Sequence, residues 1–240
     1  DPLRMMRAAR FASQLNFEIA PEVLSSMKDL AHRISIISAE RVRDEFTKIM
    51  MSANPRIGIT LLVDSGLADI VLPEIPKLRL EVDEHHHHKD VYEHSITVLE
   101  QAIEHEDRLG GPNLVIRLAA LLHDIGKPKT RAFIEGGGVS FHHHEVVGAR
   151  LAKKRLQALR FDNDTIDSVE LLTMLHLRFH GYGEGEWTDS AVRRYVRDAG
   201  DFITHLHVLT RADCTTRNKA KAARLSATYD SLEKRIEVLM

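Results

Sequence analysis

The sequence predicts an all-α protein with one small β-hairpin, and three observations carry that expectation. Apolar residues recur at helical spacing along most of the chain, as at Leu118, Leu121, Leu122 and Ile125, the mark of a helix with one buried face. Period-two alternation is confined to "RAFI" and "VSFH", which flank three glycines and read as two short strands joined by a turn. Gly66, Pro73, Gly126 and Pro128 stand where the helical pattern stops.

Taken in order, residues 2–15 place Leu3, Met6, Phe11 and Leu15 beside Arg4, Arg7 and Arg10, an amphipathic helix with a basic side. A short helix follows from about Pro21 to Ala31. Ser38 stands as the N-cap of "AERVRDEFTKIMM", with Glu40 and Asp44 near its positive end. Arg41 and Glu45 have the spacing of an i,i+4 ion pair. "NP" at 54–55 opens the next helix, and two short ones lead to "LPEIPKL". Pro73 and Pro76 are the expected domain boundary, dividing residues 1–76 from 77–240. Further helices are expected over about 90–108, 112–125, 143–160, 163–178, 188–199 and 201–216, with a last one to the C-terminus.

The chain has 240 residues, 43% of them hydrophobic, enough to bury one or two cores. A net charge of −2 does not announce a nucleic-acid binder, so RNA contact has to come from local patches. The single Cys214 excludes an internal disulfide and fits a reducing, cytoplasmic setting. No apolar run reaches the length of a membrane span. The opening "DPLRMMRAARF" is already helical in pattern and has no start Met, which reads as a piece of a longer polypeptide.

Histidine is unusually frequent, at 15 residues. In "RLAALLHDIGKPKT" an apolar helix ends on His123 and Asp124, and a buried carboxylate is expensive without a positive partner. Other metal-ligating types sit far apart in the sequence: His94, His144, His176 and Asp213. Mixed imidazole and carboxylate ligands suit Mn, Fe, Ni or Co, and also Zn. Any one of these histidines alone is as well explained by core packing or exposure. Together with "LLHDIGK" they point to a divalent ion beside Asp124.

The order His94, His123–Asp124, Asp213 resembles the HD superfamily of metal-dependent phosphohydrolases. The resemblance implies hydrolysis of a phosphoester, in which an ion acidifies its water and polarises the phosphoryl group. It also implies that Asp124 can bridge two ions, with His144 and His176 as extra ligands and His180 competing for the last role. Lys127 would contact the substrate phosphate.

A second resemblance covers essentially the whole chain. "DPLRMMRAARFASQLNFEI", "SAERVRDEFTKIM", "LLVDSGLADIVLPEI" and "HKDVYEHSI", in that order, resemble bacterial CCA-adding tRNA nucleotidyltransferases and their poly(A) polymerase relatives. This implies a helical neck and body that bind tRNA and select the incoming base, with Asp1 and Arg4 matching the family's base-reading motif. The acidic residue that precedes it in the family lies outside the chain. A carboxylate accepting from an exocyclic amine and a guanidinium donating to a bare ring nitrogen suit cytosine and adenine, hence CTP and ATP. Guanine and uracil present the opposite pattern. The family's catalytic head, with its Gly-Ser motif and strand-borne aspartate pair for Mg, is absent. The chain by itself is therefore not expected to polymerise nucleotides.

Weaker features keep two readings each. Arg7, Arg10, Lys153 and Lys154 could follow RNA phosphates or be solvated faces. His85–His88 reads as native sequence in a solvated loop, and "HGYGEGEWTDS" as a surface turn or a mobile loop over the metal site. Four functions compete: the tRNA-binding portion of a CCA-adding enzyme with an attached phosphohydrolase, a poly(A)-adding relative, a free-standing HD phosphohydrolase for nucleotides, and a vestigial HD scaffold that binds RNA.

Overall fold

The computed structural model describes residues 1–80, 90–135, 138–182 and 187–240, except for the side chains of His180 and Gly181. The His85–His88 run and most of the glycine-rich stretch after Tyr182 lie outside the described residues. The architecture is all-α with one hairpin. Its elements are α1 (Leu3–Leu15), α2 (Pro21–Leu30), α3 (Ala39–Met50), α4 (Pro55–Asp64), α5 (Leu67–Val71), α6 (Val91–Glu104), α7 (Leu114–Leu122) and α8 (Lys127–Thr130). There follow β1 (Ala132–Phe133), β2 (Val139–Ser140), α9 (His144–Ala158), α10 (Asn163–Leu175), α11 (Asp189–Ala199), α12 (Ile203–Ala212) and α13 (Lys219–Leu239).

Local chemistry explains most of the helix starts. Asp90, Asn113, Asp162, Thr188 and Asn218 each accept a backbone N–H from the first turn of the helix they precede, and Pro21 and Pro55 open α2 and α4. Ser38 occupies the expected N-cap of α3, but its side chain makes no cap bond. Several expected helices end early. α6 stops at Glu104 and a 3₁₀ turn takes over at Glu106–Leu109, because the Glu106 carboxylate turns inward to Arg117. α10 stops at Leu175, and α12 runs only from Ile203 to Ala212. The hairpin is shorter than "RAFI" and "VSFH" suggest: Ala132 faces Ser140 and Phe133 faces Val139 in antiparallel register.

α1 packs on α3 and α4, and α9 lies along α10, while α7 is enclosed by α6, α10 and α12. One continuous buried cluster runs from Leu3 on α1 to Leu232 on α13. Leu72, Ile75 and Leu78, around the two boundary prolines, are buried in it. The first five helices are also tied to the rest by arginines. Arg117 on α7 is buried, pairs with Glu106 at 2.6 and 2.7 Å, and donates to the carbonyls of Met50 and Ser52 at the end of α3. Arg56 holds Glu93 and Glu100, and Arg155 reaches back to Glu74.

Two expectations about charge are corrected. Arg41 does not pair with Glu45; it donates to Asp1 at 3.0 Å. Glu45 is buried and instead faces Arg7, Arg10 and Lys48 at 3.7, 3.3 and 3.5 Å. A buried carboxylate draws every cation in reach, so the α1 arginines win over the i,i+4 neighbour. Arg10 consequently points into the α1–α3 interface rather than along a basic face. Lys153 is likewise engaged, with Glu170 at 2.6 Å and Asp167 at 3.4 Å. Arg4 and Lys154 are exposed, with no ion pair among the described residues.

Candidate metal centre

The six expected ligands converge. α7 runs out at Leu122, so His123 and Asp124 fall in the turn that follows, where neighbours can face the same point. His176 takes the equivalent position after α10, and His144 is the first residue of α9. His94 comes from the first turn of α6, and Asp213 from the end of α12. His123, Asp124 and His176 are each 1% exposed, so the centre is cut into the core rather than laid on the surface. Three helix C-termini, those of α7, α10 and α12, with their partial negative charge, end at it.

Each imidazole is fixed through Nδ1. His123, His144 and His176 donate Nδ1–H to the carbonyls of Ala120, Phe141 and Thr173, each three residues earlier, at 2.8, 2.8 and 2.6 Å. His94 Nδ1 meets Thr215 Oγ1 at 3.2 Å. This arrangement aims every Nε2 inward. Such outer hydrogen bonds set the tautomer and ring orientation of a metal-binding histidine.

Asp124 stands between two sets of donors. Its Oδ2 is 3.5 Å from His94 Nε2 and 3.3 Å from His123 Nε2. Its Oδ1 is 3.2 Å from His144 Nε2 and 3.9 Å from His176 Nε2. His94, His123 and Asp124 form one group close enough to hold an ion, and Asp124, His144 and His176 form another. Asp213 Oδ1 joins the first side, 3.0 Å from His94 Nε2 and 3.6 Å from His123 Nε2. Lys127 Nζ lies 2.6 Å from Asp124 Oδ2.

The electrostatics answer what accompanies the buried aspartate. Burial pushes the Asp124 carboxyl up, but His123, His144 and Lys127 outweigh it and hold the group well below the usual carboxylate range. Asp213 is held low in the same way by His123 and His94. Burial pushes His123 down, yet the two carboxylates raise it to about 10. Burial and the neighbouring His123 charge push His176 down to about 3. The donor set fits a divalent ion. Among the described residues His123 Nε2 is buried without a hydrogen-bond partner, the imidazoles present nitrogen inward, and two carboxylates supply the charge.

Other sites fall differently. Asp1 precedes α1, its Oδ1 accepting from Leu3 N at 3.0 Å, with Arg4 on the first turn of the helix. The side chain of His180 lies outside the described residues. Trp187 packs edge-on against Tyr182 and Tyr195. Asp162–Asn163–Asp164 has the spacing of an aspartate pair, but Asp162 is spent capping α10 on Thr165. Sequence reasoning missed Thr215 and Arg117, and read Gly126 only as a helix stop, not as the point where the chain meets the backbone of α9. Gly126 alone had a visible signal, as a glycine directly behind the His–Asp pair.

The comparisons agree with this geometry. Residues 91–218 match the HD domain family, and residues 16–78 match a family described as the probable RNA- and SrmB-binding site of polymerase A. An A-adding tRNA nucleotidyltransferase from Deinococcus radiodurans is 33% identical over 219 residues, 89% of this chain and 49% of that protein. A multifunctional CCA protein from Neisseria meningitidis is 34% identical over 189 residues, 77% of this chain and 43% of its own length. One from Tolumonas auensis is 32% identical over 187 residues, covering 75% and 44%. The chain thus spans about half the length of the curated relatives it matches. It belongs to the HD domain family, with its first helices matching the polymerase A segment and most of its length similar to tRNA nucleotidyltransferases.

Proposed function

We propose that the HD centre is a phosphohydrolase, acting as a phosphatase or 2′,3′-cyclic phosphodiesterase. The observation that carries this is the buried Asp124, one oxygen toward His94 and His123 and the other toward His144 and His176, with Lys127 beside it. His94, His123, Asp124 and Asp213 would hold a divalent transition ion (Mn, Ni, Fe, Co or Zn), and Asp124, His144 and His176 a second. An ion held there would supply an acidified water and a Lewis-acidic contact for a phosphoryl oxygen. Asp124 supplies the negative charge that retains it. Lys127, half-buried at the edge of the centre, binds and orients a phosphate oxygen. The test is hydrolysis of 2′,3′-cyclic nucleotides and simple phosphate esters with added Ni or Mn. Wild type turns over, and His123→Ala and Asp124→Ala do not. Activity surviving in both variants, or none in metal-replete wild type, removes the assignment.

Residues 1–76 form the neck and body of a longer enzyme on this reading, and 77–240 the HD domain. The neck binds tRNA in the cytoplasm, and Asp1 and Arg4 select CTP and ATP. Nucleotide addition itself belongs to an Mg-dependent head outside this chain. Support comes from the fixing of the Asp1 carboxylate by Leu3 N and Arg41, which leaves Arg4 exposed beside it. Arg4 and Lys154 are the cations most open to RNA phosphates; Arg7, Arg10 and Lys153 would contribute from within their ion pairs.

A further inference from the structure

The β-hairpin is threaded between two pieces of the metal centre without contributing to it. On one side, Asp124 and Lys127 lead through α8 to Arg131 and β1; on the other, β2 leads through Phe141 to His144. The Phe141 carbonyl itself fixes His144, so both ends of the ribbon are anchored to the centre.

Its exposed residues are not those of an ordinary surface turn. Phe133 is 63% exposed and Ile134 52%. The Arg131 guanidinium lies over the Phe133 ring at 4.7 Å, and Lys127 Nζ is 5.6 Å from the Phe141 ring centroid. Between residues 127 and 143 there are three cations (Lys127, Lys129, Arg131) and one carboxylate (Glu135), in a chain of net charge −2. Cations interleaved with exposed aromatic faces are the surface on which nucleic-acid bases stack while phosphates are held alongside. Phe133 faces Val139 across the ribbon, and Phe141 is two residues further on, roughly 7 Å at strand rise. Phe133 thus sits on the strand pair that joins Lys127 on one side to His144 on the other, and the Phe141 ring on the second strand's exit lies beside Lys127.

We propose that the hairpin is a nucleobase platform: Phe133 stacks on the base of a nucleotide or RNA end whose phosphoester lies at the metal centre, with Arg131 and Lys129 beside its phosphates. This rests on the phosphohydrolase reading and narrows its substrates to esters that carry a base. A simple sugar phosphate reaches the same Lys127 without the platform.

Binding and turnover test the two ideas separately. Calorimetric binding of adenosine 2′-monophosphate and of ribose 5-phosphate to the whole chain, without added metal, is compared in wild type, Phe133→Ala and Phe133→Trp. Wild type binds the nucleotide at least tenfold more tightly than the sugar phosphate. Phe133→Ala removes that difference by weakening the nucleotide alone, roughly five- to hundredfold for one lost stack, and Phe133→Trp restores it. With Mn, the same pattern appears in KM for 2′,3′-cyclic AMP, with kcat nearly unchanged. Absence of a base preference in wild type, or a Phe133→Ala protein that binds both probes as wild type does, overturns the platform; a hairpin that serves a protein partner gives this second result. Base-dependent binding without any hydrolysis retains the platform and removes the phosphohydrolase.

Discussion

Gly126 lies so close to the backbone of His144 that one added carbon would collide with the His144 carbonyl oxygen and stand 2.7 Å from the Gly148 amide nitrogen. Its φ of −76° is open to any residue, so glycine is required here for proximity and not for backbone conformation. Gly126→Ala should therefore push α9 away and carry His144 off Asp124. The expected cost is about 1–3 kcal/mol of stability, as for other overpacked sites. Metal content should fall on the His144–His176 side and persist on the His94–His123 side. Urea unfolding together with elemental analysis of the purified variant checks both parts.

Metal retention should divide along Asp124. Asp124→Ala removes the residue common to both donor groups and should leave the protein without bound transition metal. His144→Ala or His176→Ala should lower the metal count without abolishing it. Equal metal in wild type and Asp124→Ala would exclude Asp124 as a ligand.

Arg117→Met should be among the most damaging substitutions outside the centre. It strands the Glu106 carboxylate, which is buried at 4% exposure, at a cost of about 3–5 kcal/mol. Adding Glu106→Gln should recover only part of this, because the carbonyls of Met50 and Ser52 still lose their donor. Denaturant midpoints of the single and double variants measure the recovery.

Acid should weaken the fold partly through His207. Burial pushes this imidazole down to about 4, against the opposing pull of Glu233. Its folded value lies below its unfolded value of about 6.5, so the unfolded chain takes up the proton first. The contribution is fully present above about pH 6.5 and is lost as pH falls from there toward 4, by up to about 1.4 kcal/mol per pH unit. His207→Gln should show a shallower decline over that window. Parallel declines in unfolding free energy would assign the acid sensitivity to other groups.

In a full-length enzyme containing this neck, Arg4→Ala should relax base choice. Loss of one charged hydrogen bond in a desolvated pocket is worth about 1.5–3 kcal/mol, or ten- to hundredfold in discrimination. CTP and ATP use should weaken and UTP use rise in relative terms, with hydrolysis at the HD centre unchanged. Steady-state incorporation into tRNA lacking its 3′ end reads this out. An unaltered CTP:UTP ratio would make Arg4 part of a solvated face.

How much of this was legible depends on what a residue type can reveal. His94, His123, Asp124, His144, His176 and Asp213 stood out only as a set: each alone is explained by packing or exposure, and their recurrence around an apolar helix that ends on a His–Asp pair pointed to a shared ion. The anchors that aim them did not, because Ala120, Phe141 and Thr173 act through backbone carbonyls that any residue supplies. Helix spacing suggested Arg41 with Glu45, and tertiary contacts chose Asp1, Arg7 and Arg10 instead. Sequence period reports which face of a helix is buried, not which charge waits on the neighbouring one.

The grip of Arg117 on the end of α3 bears on how the protein can be dissected. The same short helix holds the end of α3 through Arg117 and leads into His123 six residues later. A cut near Pro76 would leave Arg117 and Glu106 facing solvent and uncover part of the buried cluster that runs through both parts. An excised HD half should accordingly express as sticky, poorly metallated material. Its silence in an assay would report the missing scaffold, not the chemistry of the centre.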